Sequence, residues 1–309
     1  MTGGGGTGNG GADDGRADVA IRPHVGLLVT CLVDLFRPGI GFAAVRLLER
    51  AGCDVDVPRG QTCCGQPALS SGDRAGAAAL ARQTVAAFEE FDYVVAPSGS
   101  CAATVRVHAP ALLADDPPWA ERAVAVAGRT WELTRFLVEV LGQPESVATA
   151  APPRPGQEPE AGVETLVYHD SCTGRRVLGI QAQPRRLLAA IPGLTVRDAP
   201  GPSDACCGFG GPFCLNHPEI STQMADARLE ALAATGATGV LGGDLGCLLH
   251  LAGRAGVRGS RLTFRHVAEV LAGMTDTPPL AGPAKGRSRD PEPVPSRPPV
   301  AASDPDPPA

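Results

Sequence analysis

The chain contains the tripeptide Cys-Cys-Gly twice, and further cysteines flank each copy at similar distances. In the first half, 31 residues separate the tripeptide from the preceding cysteine and 35 from the following one; in the second half the spacings are 33 and 38. The first cysteine set is Cys31, Cys63, Cys64 and Cys101, and the second cysteine set is Cys172, Cys206, Cys207 and Cys247. Four thiolates are the ligand number of an iron–sulfur cluster or a structural zinc ion. The pattern therefore predicts two metal sites.

Composition narrows the class of protein. A length of 309 residues allows two ordinary domains, and 43% apolar with 19% charged residues is typical of a soluble globular chain. A net charge of −6 argues against a nucleic-acid partner. No stretch reaches the roughly 18–20 apolar residues of a membrane span, and the first fifteen residues, MTGGGGTGNGGADDG, do not resemble a signal peptide. We therefore expect a cytoplasmic protein, whose cysteines stay reduced and serve as ligands rather than disulfides.

Three low-complexity stretches divide the chain. Residues 1–22 are Gly-rich and residues 275–309 contain eleven prolines, so we expect both tails to be disordered. A Pro-rich linker is predicted over 143–164. The predicted cysteine-rich domains are then 23–142 and 165–274.

Both halves show the same order of apolar strands and helical patterns. The runs VGLLVTC and TLVYHDSC end on Cys31 and Cys172, while FDYVVAPSGSC and GATGVLGGDLGC end on Cys101 and Cys247. Helical patterns are predicted over 39–52, 73–91 and 218–235, and in the closing segments 132–141 and 264–271. Alternating strands and helices predict an α/β fold, with a small parallel sheet flanked by helices in each half. In such sheets, sites form beyond the carboxyl ends of the strands, which is where these cysteines fall.

The remaining cysteines have other interpretations. For each cysteine, the alternative to a ligand role is a buried position in the core. Eight cysteines that recur at matching positions in the two halves favour metal binding. Cys53 begins a predicted strand and is interpreted as a core residue. Cys214, seven residues after Cys207, is an extra candidate thiolate for the second site or a core residue.

Other candidate groups give weaker signals. His169 and Asp170 precede Cys172; His169 is a candidate ligand or a hydrogen-bond donor to sulfur, or the two residues form a loop-capping pair. His266 aligns by sequence with Phe136 and is interpreted as a packing or surface residue. No phosphate-binding loop or dinucleotide fingerprint is present, and no catalytic arrangement of acids, histidines or cysteines stands out.

The motifs VTCLVDLFRPGIG, QTCCGQPALSSGD, APSGSC, HDSC and CCGFGGPF resemble those of the lactate utilization protein A family. This group of cysteine-rich proteins is related to the cysteine-rich component of heterodisulfide reductase and to the iron–sulfur component of glycolate oxidase. The resemblance covers about residues 25–272. It carries the ligand roles over to the eight cysteines of the two sets. In the heterodisulfide reductase relatives, each cysteine set ends in Cys-x-x-Cys. Here Ser98 and Asp244 stand in place of the first cysteine of that pair, so four thiolates per half are expected rather than five.

The resemblance implies a non-catalytic iron–sulfur component of an L-lactate oxidation system. Each half would hold a cluster of the [4Fe–4S] type, and the chain would pass electrons from a partner to a downstream acceptor. The implied partners are other lactate-utilization proteins, one of them a second iron–sulfur protein. Two alternatives remain open from the residues. One is a structural zinc scaffold for partner binding, and the other is a thiol–disulfide enzyme like heterodisulfide reductase.

Overall fold

The structure, a computed structural model, describes residues 22–142, Val147 and residues 164–280. Most of the predicted linker, the tail before residue 22 and the tail after residue 280 lie outside the described residues. The structure is therefore an account of the two cysteine-rich halves.

The first half is a four-stranded parallel sheet with helices on both faces. Its strands are β1 (His24–Leu27), β2 (Asp54–Asp56), β3 (Tyr93–Ala96) and β4 (Thr130–Glu132). Its helices are α1 (Cys31–Phe36), α2 (Gly39–Arg50), α3 (Gln66–Ser70), α4 (Arg74–Phe88), α5 (Gly99–Ala103), α6 (Ala109–Leu112), α7 (Pro117–Gly128) and α8 (Leu133–Arg135). Turns of π-helix over Thr104–His108 and Phe136–Val140 continue α5 and α8.

The second half repeats this plan. Its strands are β5 (Glu164–His169), β6 (Leu194–Asp198), β7 (Gly239–Gly242) and β8 (Thr263–His266). Its helices are α9 (Cys172–Leu178), α10 (Ala182–Leu188), α11 (Phe213–Asn216), α12 (Pro218–Ala233), α13 (Leu245–Val257) and α14 (Val267–Leu271).

The two sheets have equivalent strand orders, β2-β1-β3-β4 and β6-β5-β7-β8, and every pairing is parallel. The central strands pair Gly26 with Val94 in one sheet and Val167 with Val240 in the other. The predicted α/β fold with two similar halves is confirmed. Because all strands of a sheet run the same way, their carboxyl ends bring the cysteine-bearing loops to one edge.

The closing segments differ from the sequence prediction. Segments 132–141 and 264–271 were both expected to be helical, yet they begin with the last residues of β4 and β8. The apolar run that continues into each helix hides the short strand before it. As a result Glu132 and His266, each at the end of its strand and at the N-cap of the next helix, are structural equivalents. The alignment of His266 with Phe136 was wrong.

The halves share a hydrophobic core as well as having their own. The shared core lies between the sheets and is built from α2, α8, α10 and α14, with buried residues such as Leu47 and Leu188. In α2 the buried positions Ile40, Ala44 and Leu47 lie on one face, at helical spacing. Separate outer cores form behind each sheet. Among the helices in the described residues, none is both long and apolar enough to cross a bilayer.

Two candidate cysteine metal centres

The first cysteine of each set stands at a helix N-terminus. Cys31 is the first residue of α1 and Cys172 the first residue of α9. The preceding Thr30 and Ser171 cap these helices, each accepting a hydrogen bond from a backbone N–H of the first turn. The last cysteine of each set also lies in the first turn of a helix. Free N–H groups at helix N-termini favour negative charge on the thiolates.

A hydroxyl residue and a carboxylate residue precede the last cysteines. Cys101 is the third residue of α5, after the N-cap Ser98, and Cys247 is the third residue of α13, after the N-cap Asp244. Ser98 and Asp244 stand three residues before Cys101 and Cys247. Here they bond to each other across the two halves: the Ser98 hydroxyl donates to Asp244 Oδ2 at 3.2 Å. The backbone N–H of Ser100 donates to the same oxygen at 2.9 Å.

The Cys-Cys-Gly loops depend on a left-handed glycine. Gly65 has φ +91° and Gly208 has φ +88°, and a Cβ at Gly208 would lie 2.5 Å from the Ser221 carbonyl oxygen. This conformation turns backbone N–H groups toward the sulfurs. The N–H of Gly65 bonds to the Cys63 sulfur, and that of Gly208 donates to Cys206 Sγ at 3.4 Å. Such N–H···S contacts stabilise negative charge on sulfur and help to set reduction potentials.

Within each set the thiols touch in the same order. Cys31 Sγ lies 3.7 Å from Cys63 Sγ; the Cys63 thiol also interacts with the Cys64 thiol, and the Cys64 thiol with the Cys101 thiol. The second set shows the same chain of contacts, from Cys172 through Cys206 and Cys207 to Cys247. The structure thus brings together all eight cysteines that the sequence singled out, as two groups of four.

The crowding of the thiols changes their acidity. The hydrogen bond between Cys31 and Cys63 raises the pKa of Cys31 and lowers that of Cys63. Hydrogen bonds to Cys101 and Cys63, reinforced by burial, raise the pKa of Cys64. The hydrogen bond to Cys206 raises the pKa of Cys172. Because neighbouring thiolates repel one another, the thiols cannot all ionise unless a cation lies between them. Metal binding would therefore release protons.

The first set encloses a cavity of about 80 Å³. This is several times the roughly 10–15 Å³ that one water molecule needs. Residues of the second half close it, with Phe209, Gly211, Leu245 and Gly246 among those lining it. On its outer side, Cys31 and Cys63 also line an open cleft of about 450 Å³. The first site is therefore covered by the other half and has one edge open to solvent.

The second set has a histidine beside it. A ring nitrogen of His169 and the Sγ atoms of Cys207 and Cys247 all lie within 4.8 Å of one another, and all three residues are buried. Arg228 Nε donates to His169 Nδ1 at 3.0 Å. Burial, with the nearby charge of Arg228, lowers the pKa of His169 to about 3, so the imidazole is neutral. Since Nδ1 accepts a hydrogen bond, the ring proton sits on Nε2.

Two buried donors at this site have no hydrogen-bond partner within the described residues. They are His169 Nε2 and Arg228 Nη1. Buried donors are normally satisfied, and a buried guanidinium needs an anion nearby. Burial lowers the pKa of Arg228, and negative charge on Asp170, Cys207 and Cys247 acts in the opposite direction and favours the charged guanidinium. These donors fit an anionic group bound between the thiols, as a thiolate-bound metal or iron–sulfur cluster would be.

The neighbours of the second site differ in part from expectation. The loop is capped by Ser171, while Asp170 forms a two-point ion pair with Arg185, at 2.8 Å for each bond. His169 and Asp170 thus do not act as a loop-capping pair. Sequence reasoning missed Arg228. A signal was available, because Arg228 falls on the buried face of α12 together with Ala225 and Leu232.

The other singled-out residues lie elsewhere. Cys53 is buried in the shared core, as interpreted from the sequence. The Cys214 thiol donates to the Gly211 carbonyl oxygen at 3.2 Å, and its role as an extra ligand stays a prediction. His266 is fully buried at the interface of the halves.

Comparison with known protein families gives one matching domain in each half of the chain. The model of the cysteine-rich domain family, CCG, matches residues 25–106 and 166–252, once in each half. The fold and the two thiol groups therefore define a duplicated cysteine-rich-domain protein.

Curated relatives narrow the family. Lactate utilization protein A of Bacillus subtilis (strain 168) is 42% identical over 247 residues, which is 80% of this chain and 98% of the relative. Lactate utilization protein A 2 of Bacillus cereus (strain 03BB102) is 41% identical over 248 residues, 80% of this chain and 97% of the relative. The chain belongs to the lactate utilization protein A family.

Proposed function

We propose that this chain is an iron–sulfur electron-transfer component of a lactate-oxidising system. The relatives are named for lactate utilization, and the two thiol groups supply the ligands that such a role requires. Each half would hold one cluster of the [4Fe–4S] type on its own cysteine set. The cluster would supply reversible one-electron chemistry, which the side chains of the protein lack.

One observation supports this proposal most strongly: both halves place four thiols in the same chain of contacts at the carboxyl edge of a parallel sheet. The Gly65 and Gly208 amides donate to sulfur in matching positions. The unpartnered donors of His169 and Arg228 fit an anionic occupant. Ligands more than 30 residues apart in sequence are gathered by the fold, unlike the short Cys-x-x-Cys knuckles of most structural zinc sites.

The chain's own residues would then bind the clusters and shield them from water. The thiolates hold the metal, helix N-termini and loop amides stabilise their charge, and Phe209 and Leu245 shield the first site from water. The cleft beside Cys31 and Cys63 leaves one edge accessible for electron exchange. We propose that lactate is oxidised on a partner protein and that this chain alone does not oxidise it. The proposed partners are other lactate-utilization proteins, including a second iron–sulfur protein. The system would work in the cytoplasm.

The test is the content of iron, acid-labile sulfide and zinc in protein purified without oxygen, together with electron paramagnetic resonance after reduction. We expect about eight iron and eight sulfide per chain, from two four-iron clusters, and a signal that appears on reduction. Two zinc ions and no iron would overturn the proposal. So would turnover of lactate by the isolated chain with an artificial acceptor.

The separation of two thiols is also compatible with the zinc scaffold, which is the second candidate. Four thiolates about 2.3 Å from zinc would stand about 3.8 Å apart, and Cys31 and Cys63 Sγ are 3.7 Å apart. Free thiols in hydrogen-bond contact have a similar separation, so this distance alone does not favour zinc over iron. The cavity of about 80 Å³ is larger than a single zinc ion needs. The same metal analysis separates the two candidates.

A further inference from the structure

The two sites occupy equivalent positions but differ in the residues behind them. Counting back three residues from Cys31 and Cys172 gives Leu28 in the first half and His169 in the second. The difference therefore starts where the strands lead into the sites, directly after β1 and at the last residue of β5. A hydrophobic side chain in one half is replaced by a buried imidazole in the other.

Helices α4 and α12 show a second difference. Their buried faces have the same spacing, from Ala77 to Phe88 in α4 and from Ser221 to Leu232 in α12. The carbonyls of Ala77 and Ser221 also lie close to the glycines of the two Cys-Cys-Gly loops. Seven residues further along, Thr84 corresponds to Arg228. Half one thus has Leu28 and Thr84 where half two has His169 and Arg228.

Arg228 places a positive charge behind the second site. Only 2% of this residue is exposed, and within the described residues its hydrogen bond goes to a neutral ring, His169 Nδ1. The carboxylate that favours its charge, Asp170, is already held by Arg185. The other groups that favour it are Cys207 and Cys247. The charge of Arg228 is therefore left to be balanced by what the second cysteine set binds.

The hydrogen bond also fixes what His169 can do. A guanidinium can only donate, so His169 Nδ1 must accept, and the proton stays on Nε2. A protonated Nε2 cannot ligate a metal, but it can donate to sulfur. His169 Nε2, which has no partner among the described residues, is therefore free to donate to the group that the second site binds, and His169 is not one of the ligands.

Among the described residues, the lining of the first site's cavity includes no cation equivalent to Arg228. Among the described residues that line its cavity, the charged side chain is a carboxylate, Asp244, and the rest are neutral or are the cysteines. Asp244 is 6% exposed and accepts hydrogen bonds from Ser98 and Ser100, but its charge also acts on Cys247 of the second set, so it does not distinguish the two sites. Negative charge nearby disfavours adding an electron, whereas a buried positive charge and an N–H donor favour it.

We infer that the Arg228–His169 pair sets the order of the two reduction potentials, so that the site of the second half has the higher one. This rests on the proposed function, since it requires a redox-active group at both sites. An electron that enters the chain then resides in the second half. The open edge at Cys31 and Cys63 belongs to the half with the lower potential. The direction of electron flow within the chain would be from the first half to the second.

The test is a redox titration followed by electron paramagnetic resonance, on anaerobically purified full-length protein. The variant His169→Leu/Arg228→Thr gives the second half the residues of the first, and Thr84→Met is the matched control at the equivalent position. The double variants Cys63→Ser/Cys64→Ser and Cys206→Ser/Cys207→Ser assign each signal to a half. In the wild-type protein we expect the electron to occupy the second site at least ten times as often as the first. This preference corresponds to a difference in reduction potential of about 59 mV for a one-electron couple. His169→Leu/Arg228→Thr should lower the potential of the second half by a similar amount and leave the first unchanged.

Each other outcome is informative. Equal potentials in the wild-type protein, a higher potential in the first half, or no shift in His169→Leu/Arg228→Thr would overturn the inference. If that variant loses its metal, Arg228→Lys and Arg228→Met test the charge alone. The reduction potential of the second site should be unchanged in Arg228→Lys and lower in Arg228→Met. A lower potential in both variants would contradict a role for the charge. Absence of any reducible signal in the wild-type protein would instead defeat the proposed function.

Discussion

At the scale of single residues, His266 shows how a buried side chain joins the two halves. Its Nδ1 accepts a hydrogen bond from the Ala268 N–H at 3.2 Å, so Nε2 carries the proton and donates to the Pro97 carbonyl oxygen at 3.1 Å. Burial lowers the pKa of His266 from 6.5 to about 4. The neutral ring thus caps α14 in the second half and holds the loop after β3 in the first.

This environment predicts a dependence of stability on pH. Between about pH 4 and pH 6.5 the unfolded chain binds a proton at His266 that the folded chain does not, so the free energy of unfolding falls as pH falls. The loss from this residue approaches about 1.4 kcal/mol per pH unit in the middle of that window. His169, with its pKa lowered to about 3, adds a similar dependence.

Urea denaturation of wild-type protein and of His266→Gln at pH 5 and pH 6 checks this prediction. Glutamine keeps a donor and an acceptor but does not titrate, so its pH dependence should be weaker by one proton. An equal dependence in the two proteins would show that His266 is not buried and neutral in the fold.

At the scale of elements, the Cys-Cys-Gly loop is the unit that builds each site. It carries two thiols and a left-handed glycine, and it rests on the long helix that follows. Gly208 contacts that helix most tightly, since a Cβ there would meet the Ser221 carbonyl oxygen at 2.5 Å. Gly259, also left-handed with φ +65°, has open space where its Cβ would be.

We expect Gly208→Ala to disrupt the second site and Gly259→Ala to leave it intact. Both variants carry the backbone strain of a left-handed alanine, about 1–2 kcal/mol. Only Gly208→Ala adds a clash that must move the loop away from α12. Iron content and the midpoint of thermal unfolding measure the difference, and equal iron content in the two variants would contradict this account of the loop.

Much of this element-level structure follows from the sequence, and the exceptions have physical reasons. The strand runs before Cys31 and Cys172 and the helices α2, α4 and α12 are local patterns of apolar residues, so they could be predicted. Strands β4 and β8 could not, because they are short and merge with the apolar face of the next helix. The spacing of Arg228 with Ala225 and Leu232 places it on the buried face of α12, but a charged residue in an amphipathic helix is normally exposed, and only tertiary packing shows what lies opposite it.

At the scale of the whole molecule, the two halves form one unit. The cross-half contacts that cover the first site with Phe209 and Leu245, and that join Ser98 to Asp244, arise between residues more than 100 positions apart. No local pattern encodes them. A buried ion pair adds to them: Arg37 Nε donates to Glu269 Oε1 at 2.8 Å, with the Glu269 side chain 1% exposed.

Breaking this pair should loosen the contact between the halves. Arg37→Met leaves the Glu269 carboxylate buried without its cation, a change that typically costs about 3–5 kcal/mol. Arg122→Met, which breaks the more exposed pair with Glu89, is the control and should cost much less. Urea denaturation of both variants provides the comparison, and similar losses of stability would mean that the interface does not depend on Arg37.

The central claim is that the chain holds two separate iron–sulfur sites, one in each half. The most direct measurement is the iron and sulfide content of anaerobically purified wild-type protein and of the variants Cys63→Ser/Cys64→Ser and Cys206→Ser/Cys207→Ser, with Cys53→Ser as the control. The account predicts about eight iron and eight sulfide in the wild-type and control proteins, and about four of each in either double variant. Zinc in place of iron, or a double variant that keeps the wild-type iron content, would contradict it.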